Sequence, residues 1–515
     1  MAPHLERQRS ARRSPVPKLE YQPGLDGLRG VAVVAVMMYH AQQNMPSSWL
    51  PGGFLGVEVF FVISGYLITL LLISEHQRTD RVDLRQFWVR RARRLLPALY
   101  AVLIVTMGIV GIGGRFDDSL QEHVRAFRGM WLSSWVYLTN WYQIATGMNY
   151  ADQNGRPPFV RHLWSLAVEE QFYLVWPLVM WFVLRRFARH LPAVGVAFLL
   201  GAVGIAVYTA VTYQADDIER VNFLYLSTFT RASGLLLGAA LAVFWRPWLL
   251  RSSAARHNGR RFDWLAVVGL AVLVVTNWRW HFLVEGEDGP RGFDPLFRGG
   301  FLLVGVATLL VILAVTHSGS FFGRRVFACA PLVWIGTRSY GLYLWHWPIF
   351  QLTRPRGDLS LLDPTNPDVP MDWLPALGLR LALTAVVAEI SYRVIETPIR
   401  KGSLGRWWAR TRRSSLDARR RSLAIAGTAI VVLGAVPMVS ALSAPDVLAD
   451  QAECNRNPEA CGLLASSGSA TSISVARTTP VRDTTDKSDT TDESDTTDES
   501  DTTDESDTTD EPRAT

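Results

Sequence analysis

The sequence predicts an all-α polytopic membrane protein: a bundle of about ten helices, an eleventh transmembrane helix and a disordered acidic tail. Three observations carry this. Hydrophobic residues make up 49% of the 515 positions and gather in runs long enough to cross a bilayer. The positive charge is almost all arginine, with lysine only at positions 18, 401 and 487, and the arginines collect at the ends of apolar runs, as membrane orientation requires. From Asp483 the chain repeats Asp-Thr-Thr-Asp-Glu-Ser, an aromatic-free acidic composition that buries too little apolar surface to fold.

Residues 1–20 form a basic arm with Arg7, Arg9, Arg12, Arg13 and Lys18, which places the N-terminus in the cytoplasm. The following apolar run has no small-residue cleavage site, so it is expected to remain as the first helix, near 26–44. A second helix near 54–75 returns to Arg78, Arg81, Arg85, Arg90, Arg91, Arg93 and Arg94, and a third leaves near 95–114. The next internal marker is Arg185, Arg186 and Arg189 after the run 165–184. An even number of crossings must separate the two arginine clusters, so the aromatic stretch 129–143 is expected to be re-entrant or interfacial, with 144–164 outside.

Helices near 191–213, 223–245, 264–280, 299–317, 332–353 and 374–395 then alternate, with Asp216, Asp217, Glu219, Glu285, Glu287 and Asp288 on outer loops and arginine clusters on inner ones. The expected division is a membrane domain over 21–400, a basic cytoplasmic linker over 401–422, an eleventh helix over 423–442 and an extracytoplasmic tail over 443–515. In that tail Cys454 and Cys461 are compatible with a small-loop disulfide or with two separate thiols. The arginine distribution reads as orientation and not as a nucleic-acid surface, and no histidine and cysteine cluster has metal-site spacing. The absence of a Gly-Lys dipeptide excludes a nucleotide-hydrolysing P-loop.

Polar residues inside apolar helices are functional candidates because they are expensive there. Asp26, Arg29 and His40 head the list: eleven residues separate Arg29 from His40, which places both on one helical face about 16 Å apart. In Phe60 to Tyr66 the Ser64-Gly65 pair is a close-packing notch or part of a site. Arg90, Arg91, Arg93 and Arg94 are arranged to bind phosphates or simply to mark the cytoplasmic side. Glu169 and Glu170, at the start of a helix, are suited to proton transfer or to a helix dipole. Arg231, Tyr343, His346, Glu389 and Glu396 complete the set.

In this order, these motifs resemble the integral-membrane acyltransferase 3 family, whose members move acyl groups, often acetyl, onto extracytoplasmic sugars and other hydroxylated acceptors. The resemblance covers roughly residues 20–400. It aligns Arg29 and His40 with the family's arginine-to-histidine motif, in which the histidine is catalytic, and Arg90 to Arg94 with the arginine motif associated with acyl-coenzyme A. Trp164-Ser165-Leu166 with Glu169, Phe172 and Tyr173 matches the tryptophan-serine-leucine motif and favours Glu169 over Glu170; Tyr343, His346 and Glu396 match the closing motifs. Many relatives carry an esterase-like domain after the eleventh helix, but no histidine follows His346, so this tail is not expected to supply a Ser-His-Asp triad.

The resemblance therefore implies an O-acyltransferase of the cell membrane. It would take an acyl group, acetyl foremost, from cytoplasmic acyl-coenzyme A to a polysaccharide, peptidoglycan or glycolipid hydroxyl, without a metal. A separate extracytoplasmic acyltransferase is a compatible partner. His40, Arg29 and Glu169 are the expected catalytic residues, and Arg90, Arg91, Arg93 and Arg94 would hold the donor. Asp26, Tyr66, Trp164, Ser165, Arg231, Tyr343 and His346 would surround the substrate. His40 would act as a base on the acceptor or as a transient acyl carrier; the base is favoured. A secondary transporter or flippase is the alternative, since buried charges also mark translocation paths. A glycerolipid acyltransferase is disfavoured because no histidine is followed five residues later by aspartate.

Overall fold

The computed structural model describes residues 20–42, 49–113, 128–148, 157–250, 258–287, 289–354 and 373–443. The acidic repeats, Cys454, Cys461 and the basic arm up to residue 19 lie outside the described residues. Seven helical stretches are long and apolar enough to cross a membrane among the described residues: Gly53–Thr79, Leu84–Ile112, Leu163–Thr212, Ile218–Phe244, Gly259–Arg279, Leu296–Thr316 and Trp373–Arg400. The protein is an all-α polytopic membrane protein, and the 50-residue stretch Leu163–Thr212 contains two helices that meet at Ala188–His190.

Helix α1 (Pro23–Ala41) begins with Pro23 in its first turn, where a missing N–H costs nothing. Leu25, Leu28, Ala32, Val36 and His40 follow one another at three- and four-residue steps and are all buried, so His40 lies on the packed stripe. Helix α2 (Gly56–Thr79) is buried along most of its length. Helix α3 (Leu84–Gly113) starts eleven residues before the expected position and contains Pro97. Arg85, Arg90, Arg91, Arg93 and Arg94 are therefore part of a helix, not its approach. Between α3 and the next long helix lie a short helix at 128–134 and α4 (Thr139–Ala145), separated at Tyr137, whose φ is 56°. At seven residues α4 extends only about 10 Å, so it does not cross, in line with the expectation for 129–143.

Helices α5 (Leu163–Phe187) and α6 (Leu191–Thr212) follow, then α7 (Ile218–Leu226) and α8 (Thr228–Phe244). One helix was expected over 223–245; instead the backbone is extended at Ser227, with ψ 130°. The side chains repair the break: Ser227 Oγ accepts from the Phe229 N–H at 3.3 Å, and Thr230 Oγ1 donates to the Leu224 carbonyl at 2.6 Å. Helix α9 (Gly259–Arg279) leads to a small antiparallel hairpin of β1 (Leu283–Gly286) and β2 (Gly289–Gly292), which the pattern did not announce.

Helix α10 (Phe301–Thr316) precedes α11 (Ala330–Thr337) and α12 (Ser339–Leu352), which divide at Arg338 the single helix expected over 332–353. Helix α13 (Trp373–Ile390) passes through a widened turn, Ser391–Glu396, into α14 (Thr397–Arg400). The 401–422 segment, expected as a linker, is helical over α15 (Ser403–Arg413), and α16 (Leu416–Ser443) is a helix that includes residues 423–442.

Two close helix contacts position the site. A Cβ on Gly27 would lie 1.8 Å from the Phe327 carbonyl oxygen, and one on Gly336 would lie 1.7 Å from that of Asp26. Glycine is thus required for α1 to seat against the 327–336 segment. Likewise a Cβ on Gly65 would lie 1.9 Å from the Leu235 carbonyl and one on Gly238 2.0 Å from that of Val62, so α2 and α8 pack backbone to backbone.

Candidate active site

Three buried histidines meet at the C-terminal end of α1: His40, His162 and His346 are 4%, 1% and 0% exposed. His40 Nδ1 lies 2.8 Å from His346 Nε2, and their rings stack with centroids 5.1 Å apart. His162 meets His346 edge to face at 5.4 Å, and Trp347 packs against His40 at 4.7 Å.

The hydrogen bonds determine the tautomers. His346 Nδ1 faces two carbonyl oxygens, Tyr343 at 2.7 Å and Leu342 at 3.2 Å, which only accept, so Nδ1 carries the hydrogen. In the neutral ring Nε2 is then the acceptor, and His40 Nδ1 must donate to it. That leaves the lone pair of neutral His40 on Nε2. A base oriented by a second group through its other ring nitrogen is the arrangement used by nucleophile-activating histidines.

Tyr343, one turn before His346, ties the cluster to α5. Its hydroxyl donates to the His162 carbonyl at 2.7 Å, so Ser165 Oγ, 2.5 Å away, donates to Tyr343. Trp164 is 1% exposed and packs on Phe61 and Tyr225. Ser165, Tyr343 and His346 are therefore joined to His40. Trp164 faces the aromatic core beside Arg231's neighbour Tyr225.

Lower on α1 lies a second polar cluster. Arg29, Arg91, Arg94, Glu169 and Glu170 line one cavity of about 40 Å³ together with Ser64. Ser64 Oγ and Tyr173 Oη both donate to Glu169 Oε1, and the two hydroxyl oxygens lie 2.8 Å apart. Arg91 lies over the Tyr173 ring at 4.2 Å. Asp26 pairs with Arg29 at 4.0 Å. The four arginines of α3 thus separate into two kinds. Arg91 and Arg94 face the cavity, whereas Arg90 is 55% exposed and engages Glu75 at 3.6 Å and Gln86 at 2.9 Å, and Arg93 is exposed.

Arg231 and Tyr66 also lie outside both clusters. Arg231 forms a buried ion pair with Glu58, 2.6 Å apart and 3% and 0% exposed, and lies over the Phe301 ring at 3.9 Å. Tyr66 is fully buried and donates to the Trp245 carbonyl at 3.4 Å. Glu389 is held by Arg338 and by Arg393, the latter at 2.5 Å. Among the described residues no group of histidine, cysteine and carboxylate side chains is arranged to hold a metal ion.

Sequence reasoning did not single out Glu58 or Arg380, and it placed His162 beside Trp164-Ser165-Leu166 without giving it a role. Glu58 had a readable signal, as the lone carboxylate in the apolar run 54–74. Arg380 is 5% exposed, donates to the Phe350 carbonyl at 2.8 Å and thereby closes α13 over the end of α12 beside the histidines.

Curated proteins align over most of the chain, two of them as follows. It is 36% identical over 440 residues to the O-acetyltransferase OatA of Staphylococcus aureus, covering 85% of this chain and 65% of that one. It is 36% identical over 383 residues to the peptidoglycan O-acetyltransferase OatA of Listeria monocytogenes, covering 74% of this chain and 56% of that one. The chain thus spans less than two thirds of the length of the relatives it matches. No solved structure matches it. The acyltransferase domain family matches residues 22–389, a range that contains both polar clusters, and the chain belongs to that acyltransferase 3 family.

Proposed function

We propose that the protein is a membrane O-acyltransferase that moves an acetyl group from cytoplasmic acetyl-coenzyme A to a hydroxyl of a cell-envelope glycan, peptidoglycan foremost. The observation that carries this reading is the pairing of His40 with His346, which presents a lone pair on His40 Nε2 inside a family of acyltransferases. The names of the relatives support the acceptor class.

The donor would enter from the arginine side. Arg29, Arg91 and Arg94 converge on one cavity, and guanidinium groups bind phosphates through paired N–H donors. A further cavity of about 350 Å³ opens beside Pro23 and Gly24 and is lined by Trp248, His317 and Arg324, with room for the nucleotide end of the donor. From Arg29 to His40 the helix rises about 16 Å, a distance for the donor's flexible arm to cover between phosphates and thioester. With the N-terminus cytoplasmic, the histidines face the other side. There a cavity of about 420 Å³ is lined by Gln143, Asp217, Glu219 and Asn222. Gln143 donates to the Arg161 carbonyl at 3.2 Å, which ties the cavity wall to the residue before His162 and makes this cavity the proposed acceptor entry.

In the reaction His40 Nε2 takes the proton of the acceptor hydroxyl as its oxygen attacks the thioester carbonyl. The C–S bond then breaks, and the leaving thiolate recovers that proton from His40. His346 holds the developing imidazolium through Nδ1 of His40. Glu169, bound by Ser64 and Tyr173, balances the arginines beside the donor. The test is transfer of radiolabelled acetyl from acetyl-coenzyme A to muropeptide or glycan acceptors by the purified full chain. Ester-linked label on the glycan is the expected result; coenzyme A binding with no transfer to any hydroxylated envelope acceptor would remove the proposal.

A further inference from the structure

Helix α15 takes no part in either polar cluster, and its residues divide cleanly by face. At about 100° per residue, Leu404, Trp407, Trp408 and Thr411 occupy one sector about 100° wide, while Arg406, Arg410 and Arg413 occupy the opposite side within about 60°. Packing covers only part of this sector: Thr411 is buried and Trp407 half-buried, whereas Leu404 is 56% and Trp408 45% exposed. Among the described residues none of Arg406, Arg410, Arg412 and Arg413 has a carboxylate partner; Arg406 donates to the Lys401 carbonyl at 2.5 Å. Eleven residues make a helix of about 16 Å, too short to cross a bilayer.

The helix has a turn of the chain at each end. It follows the apolar stretch Trp373–Arg400 and is turned away from it by Gly402, whose φ of 84° lies in the left-handed region that glycine tolerates. Extended backbone at Ser414, ψ 164°, turns the chain again into α16, itself 28 residues long. A short helix between two long apolar helices, with aromatic and aliphatic side chains on one face and unpaired arginines on the other, has the composition of an interfacial helix. Charge complementarity selects the occupant.

We propose that α15 lies along the membrane surface, with Leu404, Trp407 and Trp408 in the acyl region, and that Arg406, Arg410 and Arg413 bind the headgroups of anionic phospholipids. The inference rests on the architecture around residues 400–416 and not on the proposed reaction. It is tested with the full chain reconstituted in vesicles of phosphatidylcholine and phosphatidylglycerol at three to one.

Spin-labelled phosphatidylglycerol should be immobilised by the protein in preference to spin-labelled phosphatidylcholine. The preference should fall at least twofold in a variant combining Arg406→Gln, Arg410→Gln and Arg413→Gln, and should weaken with added salt in the parent. Depth is read independently in a chain carrying Cys329→Ser, Cys454→Ser and Cys461→Ser, with a nitroxide on Trp408→Cys or on Arg410→Cys. The label at 408 should be reached by oxygen better than by a water-soluble nickel chelate, and the label at 410 should show the reverse order. Unchanged lipid preference in the triple variant, or equal aqueous access at 408 and 410, would overturn the proposal.

Discussion

Replacing His346 with phenylalanine keeps an aromatic ring between Tyr343 and Phe350 but deletes the nitrogen that accepts from His40 at 2.8 Å. The Nδ1–H of His40, whose ring is 4% exposed, then faces a hydrocarbon ring. A buried donor deprived of its partner costs about 1–3 kcal/mol. If the hydrogen moves to Nε2 to escape that cost, the base loses its lone pair there. Placed on the barrier, the same energy slows the reaction about 5- to 160-fold. The assay is coenzyme A release coupled to glycan acetylation by purified protein at saturating donor and acceptor. The fall should be in kcat, with the KM for donor and acceptor within about twofold, because His346 touches His40 and not the arginine cavity. His346→Gln, whose amide oxygen accepts a hydrogen bond, should recover part of the loss. A wild-type kcat in His346→Phe, or a glutamine variant no better than phenylalanine, would refute the tautomer argument.

Other predictions follow from the same geometry. Arg91→Gln and Arg94→Gln should each raise the KM for acetyl-coenzyme A about tenfold, the value of one charge-assisted hydrogen bond, whereas Arg93→Gln, on the exposed face, should change it less than twofold in the same kinetic assay. Glu58→Gln or Arg231→Leu leaves one charge buried without its partner and should cost about 3–5 kcal/mol of stability; changing both to leucine should recover much of that, read by thermal unfolding of the detergent-solubilised protein. Gly336→Val should uncouple the seat of α1, seen as loss of folded protein on size-exclusion chromatography, because the added Cβ would lie 1.7 Å from the Asp26 carbonyl. Tyr173→Phe removes one of two donors to Glu169 and should lower activity about 5- to 15-fold while Ser64 retains the other bond.

Residues whose role is set within one helix were readable in the sequence. Arg29 and His40 share a face of α1 by spacing alone, and the arginine clusters ordered the long helices along the chain. The division of Arg91 and Arg94 from Arg90 and Arg93 was not read: with α3 starting at Leu84, Arg90 and Arg94 lie only about 40° apart on the helical wheel, and it is the contact of Arg90 with Glu75, not the spacing of the arginines themselves, that draws it away from the cavity. Partners far apart in sequence were not legible. Ser64 belongs with Glu169, 105 residues away, and His40 with His346, 306 residues away, and no local periodicity encodes those meetings. The Arg231 reading shows the same limit: a buried arginine is expensive wherever it lies, and whether it serves a ligand or Glu58 depends on the crossing of α2 and α8. The break at Ser227 was hidden because serine and threonine side chains, not glycine or proline, satisfy its backbone groups.

The central claim is that His40 removes the acceptor proton during acyl transfer. It is tested most directly by the rate of labelled acetyl transfer from acetyl-coenzyme A to glycan in a His40→Ala variant shown to be folded and to bind the donor normally. Loss of a general base predicts a fall of about 10²- to 10⁴-fold at saturating substrates, with donor affinity unchanged because the arginine cavity is intact. Transfer at the parent rate in that variant would contradict the account.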